Sequence, residues 1–174
     1  MISIIDIFKD ITERVSKQTG FKVNYIFGDS IYIRKTLAEM DKSQATRSER
    51  YPLIALFTPF DENKNNKSYY CEVNLNFIIA VETLSDYTNE SRKKNSFEAV
   101  IYPVYESFIK EIKNERRFDF GYSDIVPHIS SDNYSYASRG VSSTDGVKFD
   151  RIDAMDIINL QLKVRKEQCY GKRL

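Results

Sequence analysis

Residues 69–82, YYCEVNLNFIIAVE, carry an apolar side chain at every second position. Tyr69, Cys71, Val73, Leu75, Phe77, Ile79 and Val81 take one face, and Glu72, Asn74, Asn76 and Glu82 take the other. Successive side chains of a strand point to opposite faces, so this run predicts a long, half-buried strand of an antiparallel sheet. Upstream, YPLIALF at 51–57 is almost continuously apolar, which predicts a strand covered on both faces. Pro52 cannot donate to a ladder and belongs at that strand's start. The polar connector DENKNNKS, 61–68, joins the two runs into a long hairpin and forms its tip.

The remaining elements are arranged around that hairpin. Ile4, Ile5, Phe8, Ile11 and Val15 recur at helical spacing and predict a helix over 3–18, opened by Ser3 with Asp6 and closed at Gly20. Phe21, Val23 and Tyr25 alternate with Lys22 and Asn24, a first strand that ends in a turn at Gly28 and Asp29. SIYIRK, 30–35, reads as a short strand pairing back. Residues 35–50 are polar without a clear period and read as a long loop or extended arm. Phe97, Val100, Ile101, Val104, Tyr105, Phe108 and Ile112 line one face of a second helix, which Pro103 is expected to kink or restart. Residues 114–149 are irregular, with room for one or two short strands near DIVPHIS. Ile158, Leu160, Leu162 and Val164 alternate with Asn159, Gln161, Lys163 and Arg165, a last half-buried strand, and a basic tail follows at 166–174. The order predicts one α+β domain over 1–174: a mostly antiparallel sheet built on the hairpin, with helices packed on one face.

Composition narrows the class of function. Charged residues are 29% and apolar residues 41%, a globular balance. Lysine and arginine number 26 against 25 acidic residues, which does not point to a dedicated nucleic-acid binder. Near-neutral charge suits a surface covered by partners. The 12 Tyr and 11 Phe suit sheet faces and protein interfaces. Cys71 and Cys169 form no framework and are expected to be reduced thiols. The first residues lack a signal-peptide pattern, and no apolar run is long enough for a membrane span; a soluble, intracellular product is expected.

Catalytic signatures are sparse. His128 has no Cys, Asp or second His at ligand spacing, so a structural or surface role is expected, with His128→Ala costing no more than about 0.5 kcal/mol. No phosphate-binding glycine loop, paired-cysteine motif or nucleophile elbow is present in the sequence. Asp150, Asp153 and Asp156 bring three carboxylates near the last strand, for which capping or subunit contact outweighs metal binding. Neither a cofactor nor a metal is expected. Two alternatives to a structural protein stay open: a nucleic-acid-associated module using the basic C-terminal tail, and a small enzyme assembled around His128 and Asp150, Asp153 and Asp156.

Three stretches in order, YPLIALF, AVIYPVYESFIKEI and FDRIDAMDIINLQLKV, resemble small virion proteins of tailed bacteriophages, especially of Bacteroides-type hosts. The element order resembles the tail-terminator and tail-completion family: an N-terminal helix, a sheet on a long hairpin, a helix packed on it and a final strand. That resemblance implies a structural protein of the virion, synthesised in the host cytoplasm and forming a ring at the head–tail junction. The implied partners are further copies of the chain, as a hexamer or dodecamer, and portal, neck and tail proteins. DNA would pass the lumen without specific recognition, and no membrane is involved. The segments with no part in burying the sheet are the expected subunit contacts: Lys42, Arg47 and Arg50 from the arm, and Asp61, Asn63, Lys64, Asn66 and Lys67 from the hairpin tip.

Overall fold

A computed structural model of the chain describes residues 3–64, 69–84, 86–121, 123, 125–134 and 151–165. It is a mixed α+β structure with an open, mostly antiparallel sheet in the order β1-β2-β4-β6-β5. The strands are β1 (Asn24–Gly28), β2 (Leu53–Phe57), β4 (Tyr70–Glu82), β5 (Ile129–Asn133) and β6 (Ile152–Arg165), with a short β3 (Asp61–Asn63) that also pairs with β4. One pair, β1 with β2, is parallel.

Helix α1 (Ile4–Thr19) starts and stops where its sequence says. The Ser3 hydroxyl accepts the Ile5 N–H, and Gly20 ends the helix in the left-handed region at φ 76°. Its apolar stripe packs on the sheet beside α5 (Tyr102–Asn114). A short helix α4 (Asn89–Arg92) runs without interruption into a π-helical stretch, Lys93–Ile101, and then into α5. The wide stretch ends next to Pro103. Proline has no N–H to give and its ring crowds the carbonyl four residues back, so the change of helical register falls there. Pro103 thus marks a change from π to α geometry within a continuous helix, not the break expected there.

The face of β4 carrying Val73, Leu75, Phe77, Ile79 and Val81 is buried in one cluster with Val104 and Phe108 of α5, as the alternation predicts. At its centre Phe77 lies 5.8 Å from the Phe8 ring and 5.1 Å from the Phe108 ring, and Phe8 and Phe108 are 5.4 Å apart. Such aromatic contacts add to plain area burial.

Two expectations about the other face are overturned. Helices are not confined to one side, and SIYIRK is not a strand. Residues 30–41 form helix α2, capped by Asp29, whose carboxylate accepts the Tyr32 N–H at 2.8 Å. Ile33, Leu37 and Met40 recur at helical spacing and cover Ile26, Leu53, Ala55, Ile78, Ala80, Ile152 and Ala154 on the second face. This cover explains why β4 is buried on both faces towards its C-terminal end. The segment 35–50 is likewise not a free arm. After α2 comes α3 (Gln44–Arg47), and the chain then returns to the sheet through Arg50, whose side chain is buried. Deleting 42–49 would therefore remove the link between α2 and β2, not an accessory loop.

The hairpin itself is present: Leu53 faces Ala80 and Leu56 faces Phe77 across the β2–β4 ladder. Its polar connector is shorter than expected. Asp61 and Asn63 lie in β3, opposite Asn74 and Glu72, so pairing resumes after Pro59 and Phe60. Asn66 and Lys67 lie outside the described residues, as do Asp150 and the tail 166–174.

A further correction concerns β6. Ile158 does not share a face with Leu160 and Leu162; it is 40% exposed, whereas Ile157 is fully buried. Two residues, Ile158 and Asn159, stand opposite the single Asn76, since Leu75 faces Leu160 and Phe77 faces Ile157. Asn159 takes the left-handed conformation, φ 55°, and its N–H is held by Asn76 Oδ1 at 2.9 Å. A bulge of this kind shifts the inward parity by one residue.

The α1–α5 seam closes with ions. Arg117 grips Glu115 through Nε and Nη2, both at 2.8 Å, and reaches Asp10 at 3.0 Å; Arg14 adds a contact to Glu115 at 2.8 Å and another to Glu111. The Arg117 guanidinium, joined by Arg14, holds the Glu115 carboxyl down at about 2, against 4.5 for a free side chain. A lowered folded value stabilises above the unfolded value and is lost as pH falls through the folded one. The gap in urea midpoint between wild type and Glu115→Gln is therefore expected to be full above about pH 5 and to close towards about pH 2. A gap independent of pH would show that the carboxylate is not held ionised.

Candidate interaction surfaces at the sheet edges

The residues nominated from sequence do not gather into one site. Arg50, 2% exposed, is an internal clamp: its guanidinium reaches Asp41 at 3.2 Å, the Arg47 carbonyl at 3.2 Å and Glu82 at 3.5 Å, and lies over the Tyr51 ring. Buried in this way, Arg50 is not the subunit contact expected from the sequence; it holds α2, α3 and β4 together. Arg47 is exposed but engages Asp41 at 2.9 Å. Lys42 caps the C-terminus of α2 and is exposed. Lys64 pairs with Glu62. Asp61 and Asn63 face outwards beyond the area α2 covers, in register with Asn74 and Glu72. On that open area Asn74 donates to the Asn159 side chain at 3.4 Å, and with Asn76 makes a patch of amides around the bulge.

The carboxylates considered as a metal group are separated by strand parity. Asp153 points to the α5 side and is fully buried; it pairs with Arg92 Nη1 at 3.0 Å and accepts the Ser96 hydroxyl at 2.7 Å. Asp156, three residues on, projects from the opposite face and accepts the Asn133 amide at 2.7 Å. Among the described residues no group of three or more His, Cys, Asp and Glu is placed to hold a metal ion. No helix among them is long and apolar enough to cross a membrane.

His128 is not a bare surface residue. Its Nδ1 is 2.7 Å from the Val126 carbonyl, which can only accept, so Nδ1 carries the proton. Nε2 forms a 2.7 Å hydrogen bond with the Tyr105 hydroxyl. Beside it, Tyr102 donates to Asp132 at 2.6 Å, a bond that pushes the phenol up to about 12. His128 and Asp132 thus dock β5 and its approach onto α5. His128→Ala is now expected to cost about 1–2 kcal/mol, the usual range for two such bonds, rather than under about 0.5 kcal/mol. A urea titration of the variant measures this; an unchanged midpoint would mean that the Tyr105 contact contributes nothing.

Exposed apolar side chains mark a different place. Among the described residues eight large ones are exposed, and six lie at the two ends of the sheet. Phe27, Ile31 and Tyr32 sit on and just after edge strand β1. Ile125, Ile129 and Ile158 sit on and beside edge strand β5, with Ile129 directly opposite Ile158 in the β5–β6 register. The other two, Tyr69 and Leu84, flank β4. Sequence periodicity could not single these residues out, because an exposed isoleucine in a strand reads as a core position until the edge is known.

Comparison with family models, with curated proteins and with solved structures finds no match to this chain.

Proposed function

We propose that the chain is a structural virion protein of a tailed bacteriophage. In this reading it is a tail-terminator or tail-completion subunit that forms a homo-oligomeric ring, a hexamer or dodecamer, at the head–tail junction. Portal, neck and tail proteins are its neighbours, and DNA passes the lumen without being read. The chain performs no catalysis and works in the virion.

The observation that carries the reading is the pair of unlike apolar patches at opposite ends of one sheet. A closed ring of identical subunits needs this arrangement, since each copy must offer one surface to the copy ahead and a different one to the copy behind. A two-fold dimer would need only one self-complementary patch. The order of α1, hairpin, α5 and final strand agrees with the resemblance noted from the sequence.

The test is native mass spectrometry and negative-stain imaging of the full chain at high concentration, alone and with portal, neck and tail proteins. A single closed ring of six or twelve copies is expected. Filter binding to DNA is expected to be weak and without a steep salt slope, because the phosphate contacts that produce one are not part of this function. A chain that stays monomeric in every mixture, or binds DNA tightly with a steep salt slope, would overturn the reading.

A further inference from the structure

We propose that the ring is held by strand pairing: β1 of one copy adds antiparallel to β5 of the next, so that a single sheet runs around the assembly. This rests on the ring reading above and specifies how its subunits meet.

Four observations converge on it. First, β1 and β5 are the two ends of the strand order, and among the described residues no strand pairs with the outer side of either. Second, both are five residues long, Asn24–Gly28 and Ile129–Asn133, so neither leaves an overhang on the other. Third, their senses are right. β1 runs with β2, β2 against β4, β4 against β6 and β6 against β5, so β1 and β5 point in opposite directions. Rotation about an axis roughly along the strands preserves those senses, and the seam is antiparallel. Fourth, the edge strands themselves carry none of the usual defences. Natural edge strands are blunted by lysine, proline or bulges. NYIFG has none of these, both edge ladders keep an unbroken register, and the one charge of ISSDN, Asp132, is engaged by Tyr102.

The side chains match as well. Tyr25 shares the face of α1, where its hydroxyl donates to the Ile5 carbonyl, and parity puts Phe27 on the same side. Asp132 lies on the α5 side, and parity puts Ser130 with it. Aligning the strand centres sets Phe27 against Ser130 and leaves Ile129, on the opposite face, beside the neighbour's Ile31 and Tyr32 at the start of α2. An edge strand supplies main-chain hydrogen bonds for affinity, and its alternate side chains select the partner.

Two measurements test the seam. In a Cys169→Ser background, where Cys71 stays buried, Phe27→Cys and Ser130→Cys chains are made separately, mixed and oxidised. The expected product is a disulfide between the two kinds of chain, absent when either is oxidised alone. Separately, Phe27→Lys and Ile129→Lys are each expected to reduce the assembly to monomer in native mass spectra, with melting curves unchanged, since both positions are exposed in the subunit. A link between two Phe27→Cys chains would overturn the proposal in favour of a two-fold contact. Rings that persist in both lysine variants and never cross-link between these positions would overturn the seam while the ring reading stands. A wild-type chain that is monomeric with all its neighbours present would remove the ring reading and the seam together.

Discussion

Replacing Phe77 with alanine is expected to destabilise this protein by about 3–5 kcal/mol, the range for deleting a buried phenylalanine. The ring is 1% exposed and meets Phe8 and Phe108 within 5.8 Å. It sits where β4, α1 and α5 converge, so three elements line the cavity left behind and none can collapse into it without moving the other two. At this chain length each kcal/mol shifts the melting temperature by about 2–4 °C, so a fall of about 6–20 °C is expected by calorimetry. Glu72→Ala, at an exposed position of the same strand, is the control and is expected to stay within about 0.5 kcal/mol. Equal melting of the two variants would mean that the faces of β4 are assigned backwards.

The second large effect is at the buried ion pair. Asp153→Ala leaves the Arg92 guanidinium charged and buried, and is expected to cost about 3–5 kcal/mol. Asp153 lies at 0% exposure between Arg92 and Ser96, so water cannot replace the lost partner without opening the packing of α4 and the π-helical stretch on β6. Removing both charges is a different experiment. Arg92→Met with Asp153→Leu keeps the volume filled and leaves no orphan ion, and a buried pair replaced this way often loses no stability. The double variant is therefore expected to recover most of the loss in urea unfolding. A double variant as unstable as Asp153→Ala would mean that the carboxylate does something other than balance Arg92. Addition of divalent metal ions is expected to leave the wild-type midpoint unchanged, because the carboxylate is already taken.

Some of the chain could be read residue by residue. The caps and apolar stripe of α1, the change of helix type beside Pro103, the double burial of β2 and the inward face of β4 follow from local rules: which side chains share a face at a given period, and which residues can start or stop an element. The helix at 30–41 was legible too, through the Asp29 cap and the spacing of Ile33, Leu37 and Met40. The polar run that begins at Lys35 hides that spacing from SIYIRK taken alone. The inner faces of the hairpin, and hence a layered α+β fold, are properties the sequence determined by itself.

Other features depend on what lies across the sheet. The alternation from Ile158 to Val164 is unbroken in the sequence. Its inward phase nevertheless changes at Asn159, because two residues there stand opposite the single Asn76 of β4, and a chain carries no record of its partner's register. Asp153 and Asp156 look like one acidic group in sequence and are separated by the parity of β6. Arg50 looks like a surface cation and is the clamp that returns α2 and α3 to the sheet. The exposure of Phe27 and Ile129 goes with the place of β1 and β5 at the ends of the strand order, and that order is set by non-local pairing, β4 with β6 joining residues 70 to 95 positions apart. Local periodicity determines which face of an element is apolar; only tertiary pairing decides which apolar faces are left without cover.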